Sequence, residues 1–198
     1  MQFVLFRRRR ERPVVTEFPL PEGFSANWWR VRWNSIKPPG HPMHVKFLLS
    51  WLLYIVRGQR RTFSVLTIRD ARGKVVHASM LFPGWFKSPF MGDTDIEIGR
   101  VYTEPRSRDL GLAKYGVQEC LRHASSAGGW CWYVVRPENG ASIRVAEANE
   151  FARFGFANKR PWFGIKKLGR LVADDVEKAF RPKQTLVHAP ERGQGRGP

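Results

Sequence analysis

Arg108-Asp109-Leu110-Gly111-Leu112-Ala113 stands between a strand-like run, residues 94–103 (TDIEIGRVYT), and a helix expected from about 111 to 126. Glu104-Pro105-Arg106-Ser107 supplies the turn before it, and Gly128-Gly129 ends the helix. The N–H groups at the start of a helix lack partners within it, and the macrodipole adds roughly half a positive charge there. Small residues at 111 and 113 let a phosphate approach the main chain, and Arg106 or Arg108 adds charge. Gly111 also suits a tight turn that holds no ligand. No Gly-Lys-Ser/Thr follows and no GxGxxG is present, which excludes a Walker loop and a dinucleotide fingerprint.

Working outward, residues 60–69 and 74–82 read as two strands joined by the turn Asp70-Ala-Arg-Gly73, a β-hairpin. Residues 130–136 form a compact apolar strand, 139–154 a second helix, and 156–168 a final strand or hairpin. Upstream, 43–57 should be a buried helix. Its apolar core VKFLLSWLLYIV (45–56) falls well short of the roughly 20 residues needed to span a bilayer. Trp28, Trp29 and Trp33 interleaved with Arg30 and Arg32 suit a strand or a short helix over 24–36. A helical turn is expected at 174–180. The fold class is therefore α+β or mixed α/β: a mixed sheet, an antiparallel hairpin followed by strand–helix–strand–helix–strand. The expected organisation is a basic, proline-containing and irregular segment at 1–22, one domain at 23–180, and a disordered tail at 181–198.

Hydrophobic residues make up 42% of the 198, which excludes disorder of the whole chain. The net charge of +17 calls for an anionic partner: a phosphate-bearing small molecule, a nucleic acid or an anionic membrane surface. Part of that charge lies in runs, Arg7–Arg10 with Arg12 among them, that also read as solvated ends. Met1–Phe6 is too short for a signal-peptide core and precedes the arginines, so a cytoplasmic protein is expected. Cys120 and Cys131 read as reduced core thiols, and no metal site is expected.

Residues 108–113 resemble the pyrophosphate-binding motif Arg/Gln-x-x-Gly-x-Gly/Ala of the GNAT superfamily of acyl-CoA N-acyltransferases, matching every specified position. A second resemblance lies in Asn139-Gly-Ala-Ser142, followed by Gly155-Phe156. Together the two cover roughly residues 60–168. The resemblance implies a central, mostly antiparallel, splayed mixed sheet flanked by helices, and acetyl-CoA, or another acyl-CoA, as cosubstrate. The main chain of Leu110, Gly111, Leu112 and Ala113 would hold its pyrophosphate, with Arg106 or Arg108 nearby. The strand end Val101-Tyr102-Thr103 would pair with the pantetheine arm, and Asn139 and Ser142 would contact that arm or cap the second helix. This sequence departs from the family at Phe151, four residues before Gly155, where many relatives carry a tyrosine that protonates the leaving thiolate.

The reaction so implied is direct attack of a primary amine on the thioester. The amine must be neutral, so a base is expected. Glu97, set between Ile96 and Ile98 in the strand leading to the site, is the first candidate, with Asp95 and His77 behind it. An amino sugar on a nucleotide or lipid carrier, a protein amine or a small-molecule amine would be the acceptor. The alternative is a basic protein that binds nucleic acid or a membrane surface without transferase activity.

Overall fold

Alternation of apolar and polar residues builds most of this molecule as one sheet. The computed structural model describes residues 1–39, 47–48, 51–52, 64–83, 88, 90–125, 128–162 and 165–173. In chain order the elements are β1 (Gln2–Arg9), β2 (Ser25–Arg30), β3 (Ser64–Arg69), β4 (Val75–Pro83), β5 (Ile96–Thr103), α1 (Leu112–Ala124), β6 (Trp130–Val135), α2 (Gly140–Ala148), β7 (Ala152–Trp162) and β8 (Ile165–Ala173). The strands lie in the order β2-β3-β4-β5-β6-β1-β7-β8. Every neighbouring pair is antiparallel except β5 with β6. This is the splayed mixed sheet with flanking helices that the sequence led us to expect.

The largest difference from expectation is β1. Residues 1–22, expected as an irregular lead-in outside the domain, instead supply a strand to the interior of the sheet, between β6 and β7. The alternation is legible in retrospect. Val4 and Phe6 turn to the helix-covered face, whereas Leu5 packs with Trp132 on the other. Of the arginines that follow, Arg9 and Arg12 are exposed as expected, but Arg8 and Arg10 are not. Arg8 and Arg10 are 4% and 8% exposed. Arg10 donates from Nε to the Ala124 carbonyl (2.7 Å) and from Nη1 to those of Thr94 (2.6 Å) and Gly128 (3.3 Å), closing the C-terminus of α1. Arg8 donates to the Asn149 carbonyl at the end of α2 and pairs with Glu150. Both use the negative end of a helix dipole. On the opposite face Arg7 stacks between Trp130 and Phe154, and Arg9 lies over Trp130.

From β1 the chain crosses α1. Gln118, buried in that helix, accepts from the Phe18 N–H and donates to the Thr16 carbonyl. α1 packs over β3–β5 with Leu66, Leu81, Ile98, Val117, Cys120 and Leu121 in one core. A second core, Trp29, Val65, Met80 and Phe82 with Phe47 and Trp51, covers the other face of β2–β4. Phe47, Leu48, Trp51 and Leu52 are helical, within the helix expected at 43–57; its remaining residues lie outside the described ones. So do most of the aromatic loop after β4, the helical turn expected at 174–180 and the tail from 181. α2 stops at Ala148, well before the expected 154. Asn149 caps it, Glu150 takes a left-handed φ of 58°, and Ala152 already begins β7.

Candidate functional site

Only three residues of β5 pair with β6: Ile96 with Cys131, Glu97 with Trp132, and Ile98 with Tyr133. Beyond Ile98 the two parallel strands part. A bulge at Arg100 and Val101 marks the place: Ala78 pairs with Tyr102 but Met80 with Gly99, and Arg100 holds a φ of 51°. A bulge inserts an extra residue, bends its strand and leaves main-chain groups unpaired. The end of β5 therefore swings away from β6, and α2 closes the far side of the gap.

The gap is a cleft of about 600 Å³. Val101, Tyr102 and Thr103 form one wall. Arg108, Gly111, Leu112, Ala113 and Lys114 form one end, and Tyr133 with Asn139, Ser142 and Arg144 the opposite side. Gly111 is the N-cap of α1 at a φ of 79°, with no side chain capping the first turn and no acidic residue in it. A Cβ at 111 would meet open space, so the main chain there borders the cleft directly. Arg108, Lys114 and Arg144 face it with Asp109 as the lone carboxylate among the lining residues. An unpartnered helix N-terminus with an excess of cations is a fitting seat for a pyrophosphate.

Of the residues singled out from sequence, the structure thus gathers Val101, Tyr102, Thr103, Arg108, Gly111, Leu112, Ala113, Asn139 and Ser142 around one cleft. Arg106, in the 3-10 turn before α1, and Leu110, exposed, are not among its lining residues. Asn139 caps α2 by accepting from the Ser142 N–H at 3.1 Å. Arg108 donates to the Thr103 carbonyl. Sequence reasoning missed Tyr133, Lys114 and Arg144; the helical spacing of 111 to 114 was the available signal for Lys114.

The candidate bases lie elsewhere. Glu97 is buried on the sheet face away from α1, where its Oε1 would approach a Cβ on Gly99 to 3.1 Å. It sits one residue before the parting of the strands but does not line the cleft. Asp95 accepts from Gly92 N–H, Trp130 N–H and Trp132 Nε1, a structural anchor. His77 is fully buried, its Nδ1 2.9 Å from Thr103 Oγ1 and its Nε2 2.8 Å from Ser79 Oγ. Burial lowers its pKa to about 4, so it is neutral at physiological pH. Burial also drives the Cys120 thiol well up and that of Cys131 up to about 12, so neither is a ready nucleophile. Among the described residues no group of His, Cys, Asp and Glu is placed to hold a metal.

A family profile, "Acetyltransferase (GNAT) family", matches residues 27–151, from β2 to the residue before β7. The chain belongs to the GNAT family. β1, central in the sheet of this GNAT chain, lies outside the matched region. Among solved structures, the chain is similar to a GCN5-related N-acetyltransferase from Sphaerobacter thermophilus, at 15% identity and a TM-score of 0.53, covering 78% of this chain and 49% of that one. It is similar also to a tandem GNAT protein from the clavulanic acid biosynthesis pathway, at 15% identity and a TM-score of 0.54, over 77% and 50% of the two chains. A Drosophila protein aligns at 16% identity and a TM-score of 0.52, over 78% and 48%. At such identities the likeness is one of fold, and this GNAT chain spans about half the length of those structures. No curated protein matches it by sequence.

Proposed function

We propose that this chain is an acyl-CoA-dependent N-acyltransferase that moves an acetyl group from acetyl-CoA to a primary amine. The supporting observation is the cleft itself: an uncapped helix N-terminus with Arg108, Lys114 and Arg144 at hand, continuous with Val101–Thr103, which lie beyond the pairing of β5 with β6. The residues present fit a pyrophosphate at one end and an extended amide-bearing arm along the other, bonded as an added strand would be.

In this reading the thioester reaches the point where β5 and β6 part, and a main-chain N–H of the bulged strand polarises its carbonyl. The amine comes from the opposite face of the sheet, where Glu97 takes its proton. Positioning of amine against thioester supplies most of the rate. For the acceptor we propose an amino sugar carried on a nucleotide or lipid, drawn in by the basic surplus; protein and small-molecule amines are the competing choices. The reaction is assigned to the cytoplasm, in keeping with two free, buried thiols. The alternative of a basic surface binder without transferase activity loses support from Arg8 and Arg10, whose charges serve carbonyls inside the fold.

Thermal unfolding with and without acetyl-CoA tests the reading. At 100 times its Kd the ligand should add roughly 2.7 kcal/mol of stability. No shift with acetyl-CoA or longer acyl-CoA esters would sink it. Free CoA release across a panel of amines then identifies the acceptor.

A further inference from the structure

His77 and Ser79 are both fully buried in β4, and neither has a part in the reaction proposed above. They form a short polar file that ends at the cleft. Ser79 Oγ lies 2.8 Å from His77 Nε2, and His77 Nδ1 lies 2.9 Å from Thr103 Oγ1. Thr103 is the member of the file that lines the cleft. Gly116 of α1 clamps the ring in place, since a Cβ there would overlap Nε2.

The protons available fix the direction of donation along this file. A hydroxyl has one proton to give, and a neutral imidazole has one donor and one acceptor nitrogen. Among the described residues Ser79 Oγ has a single partner, His77 Nε2, and Ser79 is 0% exposed. Were Nε2 to carry the ring proton, the Ser79 proton would be buried without an acceptor, at the full desolvation cost of that group. Ser79 therefore donates to Nε2, the ring proton sits on Nδ1, and Nδ1–H donates to Thr103 Oγ1. A charged imidazole would donate to Thr103 as well, so the end of the file is the same in either state of the ring. Thr103, accepting from the ring, keeps its own hydroxyl proton to give, and its Oγ1 has no second partner among the described residues.

We infer that the Thr103 hydroxyl donates a hydrogen bond to an oxygen of the ligand in the cleft, with His77 and Ser79 as the positioning residues that impose this polarity. The inference rests on the acyl-CoA reading above. Arg108 Nε donates to the Thr103 carbonyl at 3.4 Å, which ties Thr103 to the pyrophosphate end of the cleft. A ligand with its pyrophosphate at Gly111 and its arm along β5 passes Thr103 where the arm leaves the phosphates. The acceptor is accordingly a phosphate oxygen or an amide carbonyl of the arm. A hydroxyl held as a donor selects a ligand that presents an acceptor at this level and disfavours one that presents an N–H.

Two measurements test it, and neither needs the amine or turnover. Nitrogen NMR of the chain labelled at histidine, without ligand and at neutral pH, reads the tautomer of His77, whose signals are identified by their loss in His77→Gln. The Nδ1–H form is expected. The Nε2–H form would mean that Thr103 spends its proton on the ring, and overturns the inference. Calorimetry then gives the Kd of CoA for wild type, Thr103→Val and Thr103→Ser. Loss of the hydroxyl in Thr103→Val should weaken CoA about fivefold, and Thr103→Ser, which keeps it, should restore binding to within about twofold of wild type. The same three chains are titrated with 3′-phosphoadenosine 5′-diphosphate, which has the phosphates without the arm. An equal loss there assigns the acceptor to phosphate, and a loss confined to CoA assigns it to the carbonyl. Equal CoA affinity in wild type and Thr103→Val overturns the role of Thr103 and leaves CoA binding standing. No CoA binding by wild type overturns the acyl-CoA reading along with it. Should Thr103→Val fail to fold, the tautomer in the wild-type chain still decides.

Discussion

No room for a methyl group exists between the helix at Gly116 and the imidazole of His77: a Cβ on Gly116 would overlap the ring nitrogen Nε2. α1 thus rests on β4 through a glycine and a buried histidine. Because the same ring holds Thr103 Oγ1, one contact sets both the height of the helix and the wall of the cleft. Alanine is favoured over glycine within helices by about 1 kcal/mol, so propensity alone would make Gly116→Ala stabilising. The overlap should reverse the sign, with a net loss of about 1–3 kcal/mol in urea unfolding. Adding His77→Ala should recover much of it, since neighbours in contact do not behave additively.

His77 should also leave a mark on the pH dependence of stability. Its folded pKa of about 4 lies below the unfolded value of 6.5, so the unfolded chain binds the proton first as pH falls. The stability tied to its neutral form is whole above pH 6.5 and declines down to about pH 4, a loss of roughly 3 kcal/mol. Carboxylates titrate in the lower part of that window. The check is therefore the difference between wild type and His77→Gln, which should lose less stability between pH 7 and pH 4. Parallel curves would show that the imidazole does not carry this dependence.

Gly111 bears on the proposed pyrophosphate seat more than on the fold. Its φ of 79° strains any other residue by about 1–2 kcal/mol. Gly111→Glu adds a carboxylate at the mouth of the proposed pyrophosphate seat. It should remain folded with a modestly lower Tm and show no stabilisation by acetyl-CoA. Retained stabilisation would place the pyrophosphate elsewhere.

β1 gives a prediction that the family profile does not contain. Deleting residues 2–9 removes the partner of both β6 and β7, and with it Val4, Leu5 and Phe6 from the core. The truncated chain should not fold cooperatively. The milder Arg10→Ala leaves the carbonyls of Thr94, Ala124 and Gly128 without their charged donor and should cost about 3 kcal/mol. High salt should do little to wild type at this position, because the guanidinium is buried.

Residues 96–124 and the cap at Asn139 were legible in the sequence because their chemistry is local. A strand, a turn and a helix opened at Gly111 are dictated by neighbours a few positions apart, and nine of the residues that the family resemblance singled out meet at one cleft. The length of α2 was misread because helical spacing continues past Asn149, whereas the left-handed Glu150 and the pairing of Ala152 with Arg7 end it. β1 was hidden for a related reason. Four consecutive arginines look solvated in a sequence. What pairs them — helix ends, Trp130, Phe154 and Glu150 — lies more than 100 residues away along the chain.

The sequence by itself determined the mixed fold and the strand, turn and helix that open the site at Gly111, because each depends on local backbone propensity. Only the tertiary structure decided that the N-terminal strand fills the middle of the sheet and that Tyr133, an unremarked member of an apolar run, stands where β5 and β6 part. Strand neighbours and the direction of a side chain into a cleft are set by long-range pairing, which no local pattern encodes.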